Sequence, residues 1–329
     1  MECSTLDDII RTRPLISIVV PVFNEELNIE PFLTEVNGVL DPLSADYEFE
    51  FVFTDNHSTD RTFTVLRQLA AGDSRIRAYR FSRNFGYQRS IMTGYSRARG
   101  AAAIQMDVDL QDPPSLLPQF LRVWKEGADV VYGIRIKRQE GWLITLQRNL
   151  FYRLIDRLSE ERLSVDAGDF RLISRRIIDL LKGFEDAQPY LRGTIATLGF
   201  RQVGIPYSRN ARVRGESKFP FSKLVSLALD GILNHSVVPL RLATYFGLIV
   251  SIVTLVSIAV YILSKLLTGA NWPAGFATLA ALILASISIN AMLLGIIGEY
   301  IGRMYRQVRK QPLTIIEDVI GHVGDELAE

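Results

Sequence analysis

Residues 101–114 read AAAIQMDVDLQDPP, and this stretch decides both the fold and the candidate chemistry. Five of its first six residues are apolar, and they predict a short buried strand, which the two closing prolines separate from a following helix. Asp107 and Asp109 therefore follow the end of a strand, where α/β sheets bind ligands. With Gln111 they place three oxygen-bearing side chains on one turn, a set that suits Mg²⁺ or Mn²⁺. The alternative is that Asp109 only caps the helix and Asp107 is a solvated strand end.

Strand and helix patterns alternate around this stretch. The predicted strands are residues 15–23, 49–53, 76–81, 101–106 and 128–133, and the predicted helices are residues 28–40, 61–71, 88–99 and 115–125. This alternation predicts an α/β fold with a doubly wound, mostly parallel sheet. Because parallel strands end at one edge of a sheet, we expect Asn24, Glu25 and Asp55 to converge with Asp107 and Asp109. The dinucleotide signature GxGxxG and the P-loop signature GxxxxGK[ST] are missing from the sequence.

The composition narrows the classes of function. The chain has 329 residues and a formal net charge of +1, so no basic domain indicates nucleic-acid binding. A single cysteine excludes an intramolecular disulfide and a cysteine-rich zinc site, and the three histidines lie far apart in sequence. The amino terminus is charged and lacks the apolar core of a signal peptide, so we expect the domain that begins there to stay in the cytoplasm.

Two long uncharged stretches predict a membrane hairpin. Residues 245–264 and 266–298 contain no charged residue, and each is long enough to span a bilayer as a helix. We expect spans at about residues 245–267 and 274–298 within a hairpin of residues 241–310. Basic residues follow the second span at 303–310, whereas the connecting loop has only Lys265. The positive-inside rule then puts both termini in the cytoplasm of a multi-pass protein of the inner (plasma) membrane. A pair of buried core helices is the alternative.

The remaining segments complete the predicted organisation. Residues 1–218 would form the cytoplasmic catalytic domain, and residues 311–329 a cytoplasmic tail. Residues 219–240 read FPFSKLVSLALDGILNHSVVPL, with apolar positions at helical spacing. They predict amphipathic helices on the bilayer surface, with ordinary core helices as the alternative. Gly295, Gly298 and Gly302 form a small-residue face suited to helix contact, either within the hairpin or in a homo-oligomer.

Several ordered motifs carry a resemblance to a known family. The chain resembles family 2 glycosyltransferases with the GT-A fold and, over nearly all residues after Leu15, the polyprenyl-phosphate glycosyltransferases. Within that group it is most similar to bactoprenol glucosyltransferases and is related to dolichol-phosphate mannose synthases. The matching motifs are Pro21–Glu25 (PVFNE), Asp55–Asp60 (DNHSTD), Ser82–Gly86 (SRNFG), Asp107–Pro114 (DVDLQDPP), Gly168–Leu172 (GDFRL) and Gly215–Phe219 (GESKF). Two positions depart from the pattern: Asn56–His57 stands where Asp-Gly is usual, and Tyr87 stands where histidine is frequent.

The resemblance implies transfer of a sugar from a nucleotide to a lipid phosphate with inversion, and the best specific guess is UDP-glucose with undecaprenyl phosphate. It implies Asp107, Asp109 and Gln111 as the metal set, with Asp109 also catalytic. Asp169, at the start of the GDFRL strand, would orient the acceptor or a nearby arginine, or be a structural carboxylate paired with Arg171. Arg212 and Lys218 would hold the acceptor phosphate. The expected nucleotide-sugar site comprises Pro21, Phe23, Asn24, Glu25, Asp55, Asn84, Asp107, Val108, Arg135 and Arg148.

Two alternatives stay open at this point. One is the same lipid carrier with another nucleotide sugar, such as that of mannose or a modified arabinose. The other is a catalytically silent membrane scaffold that binds nucleotide, for which the unusual Asn56–His57 is the only feature in favour.

Overall fold

The structure is a computed structural model that describes residues 13–135, 167–184, 186, 189–208, 238–268, 275–309 and 312–321. By contacts the chain divides into two compact units. The first unit comprises Met1–Gly141, Ser164–Ser217 and Lys310–Glu329, and the second comprises Trp142–Leu163 and Lys218–Arg309.

The first unit is built on a sheet in which eight strands are found among the described residues, in the order β7-β5-β6-β4-β1-β2-β3-β8. The strands are β1 (Leu15–Val22), β2 (Glu48–Asp55), β3 (Ile76–Phe81), β4 (Ala102–Gln105), β5 (Val130–Arg135), β6 (Ala167–Ser174), β7 (Gln202–Tyr207) and β8 (Ile316–Ile320). Its helices are α1 (Ile29–Leu40), α2 (Thr62–Gly72), α3 (Tyr87–Arg97), α4 (Leu117–Lys125), α5 (Arg175–Lys182) and α6 (Leu191–Thr197).

Strand β1 lies at the centre and is apolar on both faces, which is typical of a parallel strand covered by helices on both sides. Ile16, Ile18 and Val20 are fully buried in the core beneath α1, α2 and α4. Val19 points to the opposite face, into the core that α3, α5 and α6 cover. Helix α3 can approach β1 closely because residue 94 is a glycine, where a Cβ atom would collide with Val19. The result is a three-layer α/β domain.

The direction of the strands determines what meets at the site. Strands β4, β1, β2 and β3 form one parallel run, and β5 and β7 are parallel to each other. Strand β6 is antiparallel to both β4 and β5, so those two also share one direction. The sheet is therefore mostly parallel, as expected, with β6 and β8 reversed among the described strands. The first residues of β6 and β8 consequently lie at the edge where the parallel strands end.

The predicted elements agree with the structure to within a few residues, with two corrections. Predicted helix 115–125 is divided into a 3₁₀ turn at Pro114–Leu116 and α4 at Leu117–Lys125, because Pro118 lies at the start of the α-helix. Predicted strand 128–133 is shifted to Val130–Arg135, so Arg135 ends the strand rather than following it. The C-terminal segment contains an unpredicted strand: β8 pairs antiparallel with β3.

The second unit contains two long apolar helices, α7 (Val238–Thr268) and α8 (Phe276–Val308). Among the described residues, one stretch, Ala285–Gly302 in α8, is long and apolar enough to cross a membrane. Helix α7 contains a shorter apolar stretch, Ala243–Thr254. Large apolar side chains such as Leu266 and Leu294 are strongly exposed on these helices. Nearly all of the predicted interfacial segment 219–240 lies outside the described residues.

Candidate active site

Asp107 follows β4 at the carboxyl edge of the sheet, between Met106 and Val108, whose side chains are buried in the core. Its Oδ1 atom accepts a hydrogen bond of 2.6 Å from the Tyr87 hydroxyl and one of 3.0 Å from Gln105 Nε2. Burial raises the pKa of Asp107 to about 6; the Tyr87 hydrogen bond opposes this, and nearby carboxylates including Asp112 add to it. Burial and the neighbouring carboxylates therefore both disfavour the charged form of Asp107.

The turn after Asp107 is held by a local hydrogen bond and contains a strained residue. Asp109 Oδ1 accepts the backbone N–H of Gln111 at 3.2 Å, which stabilises this turn but is not a cap of the helix that begins at Leu117. Leu110 between them has a φ angle of +55°, which is rare for a leucine and costs free energy. Asn24 and His57 also have positive φ angles, of 57° and 64°. These three residues lie in loops that follow β4, β1 and β2, so unusual backbone geometry concentrates at this edge of the sheet.

Asp112 links the loop that follows β4 to strands β5 and β7. It is buried, accepts a hydrogen bond from the Tyr207 hydroxyl, and lies 3.7 Å from the Arg135 guanidinium. Arg135 Nε also donates to the Tyr207 hydroxyl at 3.2 Å. Burial and the hydrogen bond to Asp112 raise the pKa of Tyr207 to about 12. Arg135, expected at the nucleotide sugar, is thus engaged in anchoring the QDPP turn to β7.

The end of β2 presents a second carboxylate, which is buried. Asp55 is fully buried, and its Oδ1 atom accepts the Ser58 backbone N–H at 3.0 Å. Its Oδ2 atom is buried without a hydrogen-bond partner among the described residues. Burial raises the pKa of Asp55 despite the hydrogen bonds from Ser58. An orphaned buried acceptor of this kind suits a ligand that brings an N–H or O–H group.

The loops after β1 and β2 are joined to each other. The Asn24 backbone N–H donates to the Ser58 hydroxyl at 2.9 Å, and Asn24 Oδ1 accepts the Thr59 N–H at 2.8 Å. The Glu25 N–H donates to the Thr62 hydroxyl at 2.8 Å, at the start of α2. Asn24, Glu25 and Asp55 therefore converge, as the strand-end argument predicts.

The turn at residues 82–86 connects the Asp55 loop with the Asp107 loop. Asn84 Oδ1 accepts the N–H of Gly86 at 2.9 Å, which shapes the turn, and Asn56 Oδ1 accepts the N–H of Phe85 at 2.8 Å. Gly86 has a φ angle of +95°, a conformation that favours glycine, and α3 begins directly after it. Tyr87, the first residue of α3, then reaches Asp107. The unusual Asn56 and Tyr87 are both structural links between the candidate loops.

Asp169 is the third residue of the reversed strand β6 and is held by an arginine that the sequence did not single out. Arg192 Nε donates to Asp169 Oδ1 at 2.8 Å, and its terminal nitrogen donates to Oδ2 at 2.5 Å. Burial acts to raise the pKa of Asp169, but the hydrogen bonds from Arg192 and the positive charges of Arg192 and Arg171 outweigh it, so this pKa is lowered. Asp169 is thus a firmly ionised carboxylate in a bidentate pair with Arg192 of α6. Arg171, the partner that the structural alternative named for Asp169, donates to the Gly168 carbonyl at 2.9 Å.

The chemistry of the donor set fits a hard divalent cation. Asp107 and Asp109 supply carboxylates on one turn, and a cation would stabilise the charged form of Asp107, which burial and the neighbouring carboxylates disfavour. Within the described part of the chain, no group of three or more His, Cys, Asp or Glu side chains has metal-binding geometry. A metal held by two carboxylates and Gln111 would therefore need further oxygen ligands from a bound substrate, as Mg²⁺ commonly has.

The remaining predicted site residues either offer little surface to a ligand, lie at the edge of the site, or fall outside the described residues. Pro21 is buried within β1, and Phe23 directly after the strand is 44% exposed at the site edge. Val108 is 3% exposed with its side chain in the core, so its side chain offers no ligand surface. Arg148, Arg212 and Lys218 lie outside the described residues.

Comparison with known proteins identifies the family. Residues 17–181 match the family described as Glycosyl transferase family 2. A Bacillus subtilis protein named uncharacterized glycosyltransferase YkcC is 38% identical over 306 residues, which cover 93% of this chain and 94% of that protein. A prophage bactoprenol glucosyl transferase homolog of Escherichia coli is 37% identical, covering 92% of this chain and 99% of that protein.

Solved structures give more distant matches. The mannosyltransferase PcManGT of Pyrobaculum calidifontis, solved with GDP-Man and Mn²⁺, is 19% identical with a TM-score of 0.45 and covers 88% of each chain. The full-length sequence relatives and the family match support the resemblance carried by the strand-end motifs, and the observed sheet is the α/β sheet expected of a GT-A domain. This chain belongs to glycosyl transferase family 2.

Proposed function

We propose that this chain transfers glucose from UDP-glucose to undecaprenyl phosphate at the cytoplasmic face of the membrane, with inversion at the anomeric carbon. The observation that carries the chemistry is the placement of three carboxylates at the carboxyl ends of parallel strands: Asp55 is the last residue of β2, and Asp107 and Asp109 follow β4. The substrate class is supported by full-length relatives named bactoprenol glucosyl transferase, such as that of Shigella phage SfII, which is 36% identical over 92% of this chain.

The nucleotide would bind across the loops that follow β1 and β2. An unpaired buried acceptor costs about 1–3 kcal/mol, and Asp55 Oδ2 is such an atom. The imide N–H of uracil or a ribose hydroxyl would satisfy it. The surrounding turns are held by the hydrogen bonds of Asn24, Glu25 and Asn84 described above. We therefore propose that these residues fix the shape of the nucleotide site.

The diphosphate would lie beside the β4 loop. Asp107 and Asp109, with Gln111, would hold a Mg²⁺ or Mn²⁺ ion. That ion supplies charge stabilisation for the departing diphosphate. The Tyr87 and Gln105 hydrogen bonds to Asp107 Oδ1 keep this carboxylate in one orientation. Asp112 and Asp169 already face Arg135 and Arg192, so they are less suited to metal binding.

In the transfer step, an oxygen of the lipid phosphate forms a bond to the anomeric carbon while the bond from that carbon to the UDP oxygen breaks. The acceptor phosphate is already anionic at neutral pH, so no general base has to remove a proton. Asp169 has a lowered pKa and is occupied by Arg192, which suits it to positioning that arginine. Arg192, 37% exposed, could then face one of the phosphate groups.

To bind the acceptor lipid, the protein would need cationic side chains for the phosphate and an anchor in the membrane. Arg148, Arg212 and Lys218 are our proposed further phosphate contacts. Helices α7 and α8 are proposed to anchor the domain as a hairpin, with residues 219–240 on the bilayer surface and both termini in the cytoplasm. The apolar stretch Ala285–Gly302 supports the anchor. Self-association through the glycines of α8 is a further element of the proposal.

A donor screen tests this function. Membranes containing the full chain are incubated with polyprenyl phosphate, Mg²⁺ and labelled nucleotide sugars, and label entering the lipid extract is measured. We expect transfer from UDP-glucose to give a β-linked lipid product, and no transfer by an Asp109→Ala variant. If only a mannose or arabinose donor gives transfer, the proposed lipid carrier is supported and the proposed sugar, glucose, is refuted. Nucleotide binding without any transfer would instead support the scaffold.

A further inference from the structure

The C-terminal strand β8 brings a carboxylate to the Asp55 loop from outside the sheet. Because β8 is antiparallel to β3, its first residues lie at the edge where β3 ends. The pairing shifts register between Arg80 and Phe81, and Glu317 lies in this irregular part of the strand pair. Glu317 Oε2 is 3.5 Å from His57 Nδ1 and 3.5 Å from Arg80 Nε. One half-exposed side chain therefore contacts two groups around the Asp55 loop.

Both of these groups hold the backbone of that loop. His57 lies in the loop itself, in the left-handed region, and its Nδ1 atom is 2.9 Å from the Phe81 carbonyl at the end of β3. A terminal nitrogen of Arg80 donates to the Ser58 carbonyl at 3.3 Å. Ser58 in turn donates its backbone N–H to Asp55 Oδ1. The chain of contacts from Glu317 to Asp55 thus passes through Arg80 and Ser58.

The strand is attached to the domain at several other points. Ser82 donates its N–H to the Ile315 carbonyl at 2.9 Å, and the hydroxyls of Thr93 and Thr314 are 2.9 Å apart. The next residue on β8, Asp318, contacts Arg67 of α2 at 2.6 Å. Successive residues of a strand point to opposite faces, so Glu317 and Asp318 have different neighbours although they lie side by side.

We propose that Glu317 is a positioning residue for nucleotide binding: it holds Arg80 and His57 so that the Asp55 loop keeps the shape that receives the donor base. This inference rests on the proposed nucleotide site. Since binding and loop order are linked, the coupling is reciprocal, and a bound nucleotide should protect β8 and the Asp55 loop against hydrogen exchange.

The test compares matched charge reversals in the full chain. The probe is UDP with Mn²⁺, and binding is measured by calorimetry on purified protein in detergent. An exposed ion pair contributes a few-fold at most, and Glu317→Lys both removes the pair with Arg80 and replaces it with repulsion, so the UDP dissociation constant should rise about 5- to 20-fold. Asp318→Lys, the matched control, should change it less than about 2-fold. Turnover at saturating donor should be unchanged within about 2-fold in both, and high salt should reduce the Glu317→Lys effect.

Milder variants keep the test decisive if Glu317→Lys does not fold. Glu317→Gln should raise the dissociation constant about 2- to 5-fold, and Glu317→Asp should restore part of that loss. Hydrogen exchange of residues 55–60 should increase in Glu317→Gln and stay normal in Asp318→Asn. Equal dissociation constants for the Glu317 variants and wild type, or equal losses in the Asp318 variants, would overturn the inference. Wild-type protein that binds no UDP would instead overturn the proposed function.

Discussion

Asp169 and Arg192 offer the sharpest test of how the transfer proceeds. If Asp169 only positions Arg192, then Asp169→Asn and Arg192→Ala remove the same interaction. We expect each variant to lose about 10- to 100-fold in turnover, which is the scale of a misplaced positioning group. The double variant should be no worse than either single variant, because the two residues act as one unit.

The stability change follows from the burial of the pair. The Asp169 side chain is 9% exposed and the Arg192 side chain is 37% exposed. Breaking a fully buried pair costs about 3–5 kcal/mol, and an exposed pair is worth about 0–1 kcal/mol. For this half-buried pair we expect Asp169→Asn to lower the free energy of unfolding by about 1–3 kcal/mol.

The pH dependence has a definite sign. Because the pKa of Asp169 is lowered on folding, its contribution to stability is fully present above its unfolded pKa of about 3.9. That contribution is lost as the pH falls through the lower folded pKa. The difference in unfolding free energy between wild type and Asp169→Asn should therefore be constant at neutral pH and shrink only in strong acid.

Turnover and denaturant unfolding are measured on the same preparations. Asp179→Asn is the control, since Asp179 is 55% exposed and lies 3.6 Å from an arginine on the same helix. We expect it to change stability by less than about 0.5 kcal/mol and turnover not at all. A loss of about 10³-fold or more in Asp169→Asn with near-normal Arg192→Ala would show that Asp169 is a general base, and the positioning argument would be refuted.

Three further predictions concern the metal, the topology and the acceptor. Asp109→Ala should abolish transfer while the protein stays folded, and excess EDTA should do the same to wild type; full activity in EDTA would contradict the metal proposal. A cysteine at Thr268 should be labelled from outside intact cells and one at Arg309 should not, whereas the reverse pattern would refute the topology. Arg212→Ala and Lys218→Ala should each cost about 1.5–3 kcal/mol in acceptor handling, or about 10- to 150-fold, with UDP affinity retained. A titration of lipid phosphate at saturating donor measures this, and a loss of UDP affinity alone would argue against an acceptor role.

The sequence could predict the local features of this fold because they depend on neighbouring residues. Strand β3 occurs at Ile76–Phe81 as predicted, in a stretch that contains the strand-favouring residues Ile76, Tyr79 and Phe81. The convergence of Asn24 with the Asp55 loop also followed from pattern alone, because parallel strands end at one edge.

The features that sequence reasoning missed depend on distant contacts. Arg192 is one of many arginines, and only the fold brings it to Asp169, 23 positions away. Strand β8 is only five residues long and includes two acidic residues, and it forms because the edge of β3 is available to pair with it. The reversed direction of β6, which brings Asp169 to the site, likewise has no local sequence signal.

The departure at Asn56–His57 is better explained by its geometry than by loss of function. Position 57 requires a positive φ angle, which glycine adopts freely and which costs another residue about 1–2 kcal/mol. If no contact fixed the shape of this loop, residue 57 could adopt a negative φ angle and avoid that cost. Instead, His57 stays in the left-handed region and contacts the Phe81 carbonyl and Glu317, while Asn56 holds Phe85. These contacts offset the cost of a positive φ angle at a residue other than glycine, and they keep the loop beside Asp55 in its observed shape. The Asn56–His57 pair therefore gives little support to a silent scaffold.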